Sequence, residues 1–188
     1  MALFKSFAEI YAPPGGYQIV YADPPWAYRD KCNSGMRGVV FKYQLMTVEQ
    51  ICALGDMVKT IAADNCLLAL WWVPPQPAEA LRVVEAWGFE IKTMLGFSWL
   101  KLTTNGLDHF GMGNWTRANQ ECCLFAARGK PKRVKKNVRQ IIRAPRREHS
   151  QKPDEARDRL VDLMGDVPRI ELFARQQHAG WAVAGDEL

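Results

Sequence analysis

Asp23-Pro24-Pro25-Trp26 closes a run of strand-forming and small apolar residues, Ile19-Val20-Tyr21-Ala22. Neither proline can donate to a central sheet, so the strand must stop at Asp23. Open α/β sheets take their ligands at the carboxyl ends of strands, which is where this acid and its stiff loop stand. The group types suit a planar amine. The Asp23 carboxylate can accept one N–H, the Pro24 carbonyl, held by proline torsions, can accept the other, and Trp26 offers a flat face. A flipped-out adenine or cytosine presents that pair of donors beside a ring. The bland alternative is a turn in which the acid caps a helix and the indole fills the core.

A second candidate lies late in the chain, in His149-Ser150-Gln151-Lys152-Pro153-Asp154. Lys152 precedes a helix N-terminus, where its ammonium and the free backbone N–H groups could together hold a ligand carboxylate. A lysine in that place can equally be solvated. The third candidate is electrostatic. Arg128, Lys130, Lys132, Arg133, Lys135, Lys136, Arg139, Arg143, Arg146 and Arg147 follow one another with no acid between them, so this segment carries about +10 of a net +5 and the remainder about −5. Such a patch is the footprint of a polyanion, nucleic acid above all, with Lys132, Arg133, Lys135 and Lys136 as candidate phosphate contacts.

The elements that must position these groups alternate. Thr47 and Gln50 form a capping box ahead of Ile51, Leu54, Val58 and Ile61. Cys66 to Val73 is an apolar strand of the kind buried in a parallel sheet. Pro77 starts a helix with Leu81, Val84 and Trp87 inward and Gly88 as its stop. Strands follow from Phe89 to Leu100, from Glu121 to Ala127 and from Val138 to Ile142. Pro153 opens a helix that Gly165 ends, with Asp154 and Glu155 suited to its dipole. Arg169 to Ala174 is the last strand. Residues 27–43 and 103–119 are expected to be long mobile loops. This is an α/β domain with a largely parallel sheet and helices on both faces. No G-x-G-x-x-G follows an early strand, so a cofactor strand can only be the last one.

At 188 residues the chain fits one domain, 1–188, with a real core and no room for a separate recognition domain. The five cysteines are odd in number and lack metal-ligand spacing, which reads as reduced thiols in a cytoplasmic chain without a metal site. The start lacks the basic and apolar regions of a secretory signal, and no apolar run is long enough to span a bilayer.

Read together, Asp23-Pro24-Pro25-Trp26, Trp71, Trp87-Gly88-Phe89, Trp99-Leu100-Lys101, Gly113 to Glu121, His149 to Asp154, Glu171-Leu172-Phe173-Ala174-Arg175 and Gly180-Trp181 resemble, in order, the Asp-Pro-Pro-Trp type of N6-adenine methyltransferase. This is the family of the catalytic subunit of the eukaryotic messenger-RNA adenosine methyltransferase. The resemblance implies a Rossmann-like fold dependent on S-adenosylmethionine, with the catalytic turn before the cofactor strand. It implies that Asp23, Pro24 and Pro25 shape the catalytic turn, that Trp26 lies against the base, and that Tyr28 and Glu121 belong to the substrate side. Lys152 would pair with the methionine carboxylate, with Asp23 near the amino end. Glu171, Leu172, Phe173 and Arg175 would line the cofactor, and Asp186 and Glu187 would reach its ribose or adenine, although family members usually carry Asn at the position of Asp186.

Compact members of this kind resemble bacterial or phage-encoded enzymes, whose usual substrate is DNA, so DNA is expected ahead of RNA. A homodimer would extend the nucleic-acid surface. The competing readings are methylation of cytosine N4 or of a protein glutamine, and a catalytically dead nucleic-acid-binding scaffold of the same fold.

Overall fold

The computed structural model describes residues 2–27, 45–111, 115–147 and 151–185. Eight strands form one sheet: β1 (Leu3–Phe4), β2 (Tyr17–Ala22), β3 (Ala62–Trp72), β4 (Glu90–Leu102), β5 (Gln120–Arg128), β6 (Ile141–Pro145), β7 (Arg169–Leu172) and β8 (Ala182–Ala184). Their order across the sheet is β1-β8-β7-β2-β3-β5-β4-β6. Every neighbouring pair is parallel except the two that involve β5, which runs against β3 and β4. This is the expected α/β fold with a mostly parallel sheet. The short strands β1, at one edge, and β8, beside it, were not among the expected elements.

Helices cover both faces. On one lie α1 (Val48–Ala53), α2 (Gly55–Ile61) and α3 (Pro77–Ala86), which bury Ile51, Val58, Ile61, Ala80, Val83, Val84 and Trp87 against Val20, Leu68 and Leu70. On the other, α4 (Asp154–Met164) packs Ala156, Leu160 and Leu163 onto Ile19, Tyr21, Ala69 and Ile142. The alternation of β2 residues between the two clusters follows from the strand period of two.

The local signals act where they were expected. Thr47 accepts from the Gln50 N–H while the Gln50 side chain accepts from the Thr47 N–H, completing the capping box. Gly88 ends α3 and Gly165 ends α4, both at positive φ. Other expectations need correction. The helix after Thr47 breaks into two at Leu54, and Gly55, which follows, packs so close to the end of α3 that a Cβ there would stand 2.3 Å from the Ala86 carbonyl oxygen. Leu81 is 41% exposed, since the inward stripe of α3 runs through Ala80, Val83, Val84 and Trp87. The strand expected at Val138–Ile142 begins only at Ile141, where Arg159 binds the carbonyls of Arg139 and Ile141 and the Ser98 N–H binds that of Gln140. The last expected strand, Arg169–Ala174, stops at Leu172 because Phe173 takes φ +62°. Of the two expected long loops, residues 28–44 and 112–114 lie outside the described residues.

Candidate active site

The turn after β2 is held from three sides. The Trp26 N–H donates to the Pro24 carbonyl at 2.9 Å, the Met46 N–H donates to the Pro25 carbonyl at 2.8 Å, and the Ala27 N–H donates to the Met46 carbonyl at 3.0 Å. The Pro24 oxygen therefore has one lone pair committed and one to spare. Trp26 itself is only 4% exposed, and its indole N–H donates to the Trp71 carbonyl at 2.9 Å. The ring fills the core beneath the turn and braces it. The Trp71 indole N–H continues the chain to the Tyr21 hydroxyl at 2.8 Å.

Four charges meet at this end of the sheet. Asp23 leaves the end of β2, and on the far side of β3 the reversed strand β5 begins, with Glu121 as its second residue, next to the Trp72–Cys122 pair. Lys152, just ahead of α4 and 8% exposed, reaches across both, its Nζ 2.5 Å from Asp23 Oδ2 and 3.1 Å from Glu121 Oε2, above the Trp71 ring at 5.3 Å. Lys101, from the end of β4, binds the other Glu121 oxygen at 2.5 Å. The result is an alternating row, Asp23, Lys152, Glu121 and Lys101, that binds groups from four parts of the chain into one site.

Burial pushes the Asp23 carboxyl above its ordinary value despite the pull of Lys152, and the Glu121 charge adds to the rise while Arg175 opposes it. Burial would also raise Glu121, but Lys152 and Lys101 together outweigh it and hold that carboxyl below its usual range. For Lys152, burial disfavours the ammonium, yet the two carboxylates prevail and keep it firmly protonated. One carboxylate is thus made more basic while its neighbour stays ionised.

The pairing of Ala22 with Leu172 brings the end of β7 beside the Asp23 turn. An acid next to a lysine, with Arg175 close enough to act on that acid, complements the ammonium and carboxylate of an amino-acid group, so these residues fit such a ligand. Two residues expected to line it are buried. Glu171 is buried and locked by the Arg157 guanidinium, Nε to Oε2 at 2.7 Å and Nη2 to Oε1 at 3.0 Å, as a tie between β7 and α4. Leu172 is fully buried in the core on the helix α1–α3 side. Phe173 is half-buried against Phe7, with ring centroids 4.9 Å apart. Tyr28, Asp186 and Glu187 lie outside the described residues.

The basic segment is divided by the sheet. Arg143 on β6, with Arg146 and Arg147 just beyond it, comes to the Asp23 end, where Arg147 pairs with Asp154 at 2.6 Å and Arg143 with Asp108 at 3.5 Å. Lys132, Arg133, Lys135 and Lys136 are placed elsewhere. Their loop is tied to the far end of α4, the Val134 N–H donating to the Leu163 carbonyl and Lys135 pairing with Asp162. The structure does not bring these four cations to the site.

The MT-A70 family model matches residues 17–187. The chain belongs to the MT-A70 family. Among its relatives, the type II methyltransferase M.MunI of Mycoplasma sp is 34% identical over 94% of this chain and 79% of its own length. The N(6)-adenosine-methyltransferase MT-A70-like protein of Arabidopsis thaliana is 31% identical over 93% of the chain but 24% of its own length. The human N(6)-adenosine-methyltransferase catalytic subunit METTL3 is 26% identical over 93% of the chain and 28% of its own length. The chain thus spans most of the first relative and about a quarter of the other two. In this MT-A70 chain no role was expected of Lys101, Tyr21, Trp71 or Arg157. A lysine two residues past a tryptophan, or an arginine on an amphipathic helix, carries no local signal of its partner.

Proposed function

We propose that this chain transfers the methyl group of S-adenosylmethionine to the N6 amine of adenine in nucleic acid, and that the nucleic acid is DNA. The observation that carries the reading is Asp23, fixed at the end of β2 between the spare lone pair of the Pro24 carbonyl and the Lys152 ammonium. Acceptors for an amine and a cation suited to an amino-acid carboxylate thus meet at one turn. The compact members that this chain resembles favour DNA.

S-adenosylmethionine, when bound, supplies an electrophilic methyl group on a sulfonium. Lys152 and Arg175 would hold its amino-acid end together with Asp23. The adenine N6 lone pair is delocalised into its ring, so the amine is a poor nucleophile. Accepting both N–H groups at Asp23 and the Pro24 oxygen draws electron density onto nitrogen and fixes its direction. Fixing direction in this way has a ceiling of roughly 7–11 kcal/mol. A methylated amine carrying an extra proton is a strong acid, and Asp23, its pKa raised by burial, is placed to take that proton. In a duplex N6 is hidden in the stack, so the base must leave it, at a cost of a few kcal/mol. Its flanking phosphates would meet the exposed Arg143, Arg146 and Arg147.

The decisive test uses labelled methyl donor with matched DNA and RNA oligonucleotides, followed by nucleoside analysis. Label in N6-methyladenine from DNA is expected. Label in cytosine, or in RNA alone, would displace the reading, as would no incorporation at all. Asp23→Ala is expected to abolish transfer and leave nucleic-acid binding nearly intact.

A further inference from the structure

The rim of the sheet opposite Asp23 carries a charge that the proposed reaction does not use. After β5 the chain passes through Gly129 to Asn137 at the N-terminal ends of the strands, with Lys130, Lys132, Arg133 and Lys136 all exposed. Among the described residues no acid lies within ion-pair distance of these four, whereas the intervening Lys135 is taken up by Asp162. The backbone beneath them is pinned. The Lys130 N–H donates to the Asn65 side chain at 2.7 Å and the Val134 N–H to the Leu163 carbonyl at 2.7 Å, while Pro131 restricts the stretch between. Four unbalanced cations on an anchored loop repel one another, a cost that a bound polyanion removes.

Geometry separates this loop from the active site. Asn65 stands six residues before Trp71 on β3, roughly 20 Å at the strand rise. The 11 residues of α4 span about 16 Å between the Lys152 end and the Leu163 end. A duplex lying across the catalytic rim is stiff over about 50 nm and cannot fold back to the opposite rim.

We propose that this loop is a second, sequence-independent nucleic-acid site, which holds a segment other than the one being methylated. The inference rests on nucleic acid being the substrate. It is a phosphate site, because residues 128–147 contain no aromatic side chain on which a base could stack. An anionic membrane is the weaker match, since Val134 is the one exposed large apolar side chain in the loop and gives little to insert.

The test is the triple variant Lys132→Ala, Arg133→Ala, Lys136→Ala in the full chain, compared with wild type on a duplex of about 20 base pairs and on plasmid-length DNA. On the short duplex, kcat and KM are expected to be unchanged. On long DNA, KM should rise about tenfold, three lost phosphate contacts being worth that order. A pull-down in which short duplex on beads retains enzyme and then a second labelled duplex should lose the second duplex in the variant. An equal rise in KM on both substrates would place these cations at the active site and overturn the proposal. So would no change on either, or binding to anionic vesicles with undiminished capture of the second duplex. Because the pull-down needs no methyl transfer, it separates failure of this site from failure of the proposed activity. The residues are exposed and unpaired, so an unchanged melting temperature checks the fold.

Discussion

Asp23 and Glu121 share one lysine, and that sharing sets how each carboxylate behaves. Glu121 raises the Asp23 pKa by repulsion and also competes for the Lys152 ammonium. Replacing it with Gln removes both effects, so the Asp23 carboxyl should titrate lower. Activity that needs ionised Asp23 is lost as pH falls through its pKa, and the acid limb of kcat/KM against pH is therefore expected to move to lower pH in Glu121→Gln. In Lys152→Met the two carboxylates lose their shared cation, so the limb should move to higher pH as well as fall in height. A Glu121→Gln profile displaced upward would show that the two groups are not coupled as the distances imply. Trp26 marks what a residue type can conceal: an indole after two prolines suits a base and suits a core equally, and the choice is made by the Trp71 carbonyl, 45 residues away.

At the level of elements, the Arg157–Glu171 pair joins α4 to β7 beneath the site. Arg157→Leu would leave Glu171 buried without its partner and is expected to cost about 3–5 kcal/mol in denaturant unfolding. Adding Glu171→Leu should recover much of that loss, because the stranded charge is then gone. Gly55→Ala, which drives a Cβ toward the Ala86 carbonyl, is expected to cost about 1–3 kcal/mol by the same measurement. The signals legible in the sequence were short-range ones. Thr47 with Gln50, Pro77, Gly88, Pro153 and Gly165 act through bonds or torsions within a few residues. Asp23 was legible because two prolines force a strand to end there. The ion row was only half legible, since Lys101, Glu121 and Lys152 are joined by the reversal of β5, a property of the sheet that no local pattern encodes. Leu81 shows the finer limit, for a helix turned by one residue buries Ala80 in its place and keeps the same periodicity.

For the whole molecule, the positive charge is divided between two rims, and salt should resolve them. Neutralising Arg143, Arg146 and Arg147 to Ala is expected to weaken binding of a short duplex and lower its log-log salt slope by roughly 2 to 3, at 0.7 to 0.9 for each lost contact. An unchanged slope would move the substrate's phosphates off this rim. Among the described residues no helix is long and apolar enough to cross a membrane.

The single reversed strand also makes part of this molecule interchangeable. Because β5 returns antiparallel to β4, residues 103–119 leave and re-enter the sheet at neighbouring points on the catalytic rim. The root of that stretch is closed by the Lys101 N–H to the Asn119 carbonyl at 2.8 Å and the His109 N–H to the Lys101 carbonyl at 3.0 Å. A segment of another length or composition can be grafted between Leu102 and Gln120 with the strand order, the Asp23 turn and the lysine at α4 left in place. That segment and the chemistry at Asp23 can therefore be varied as separate parts.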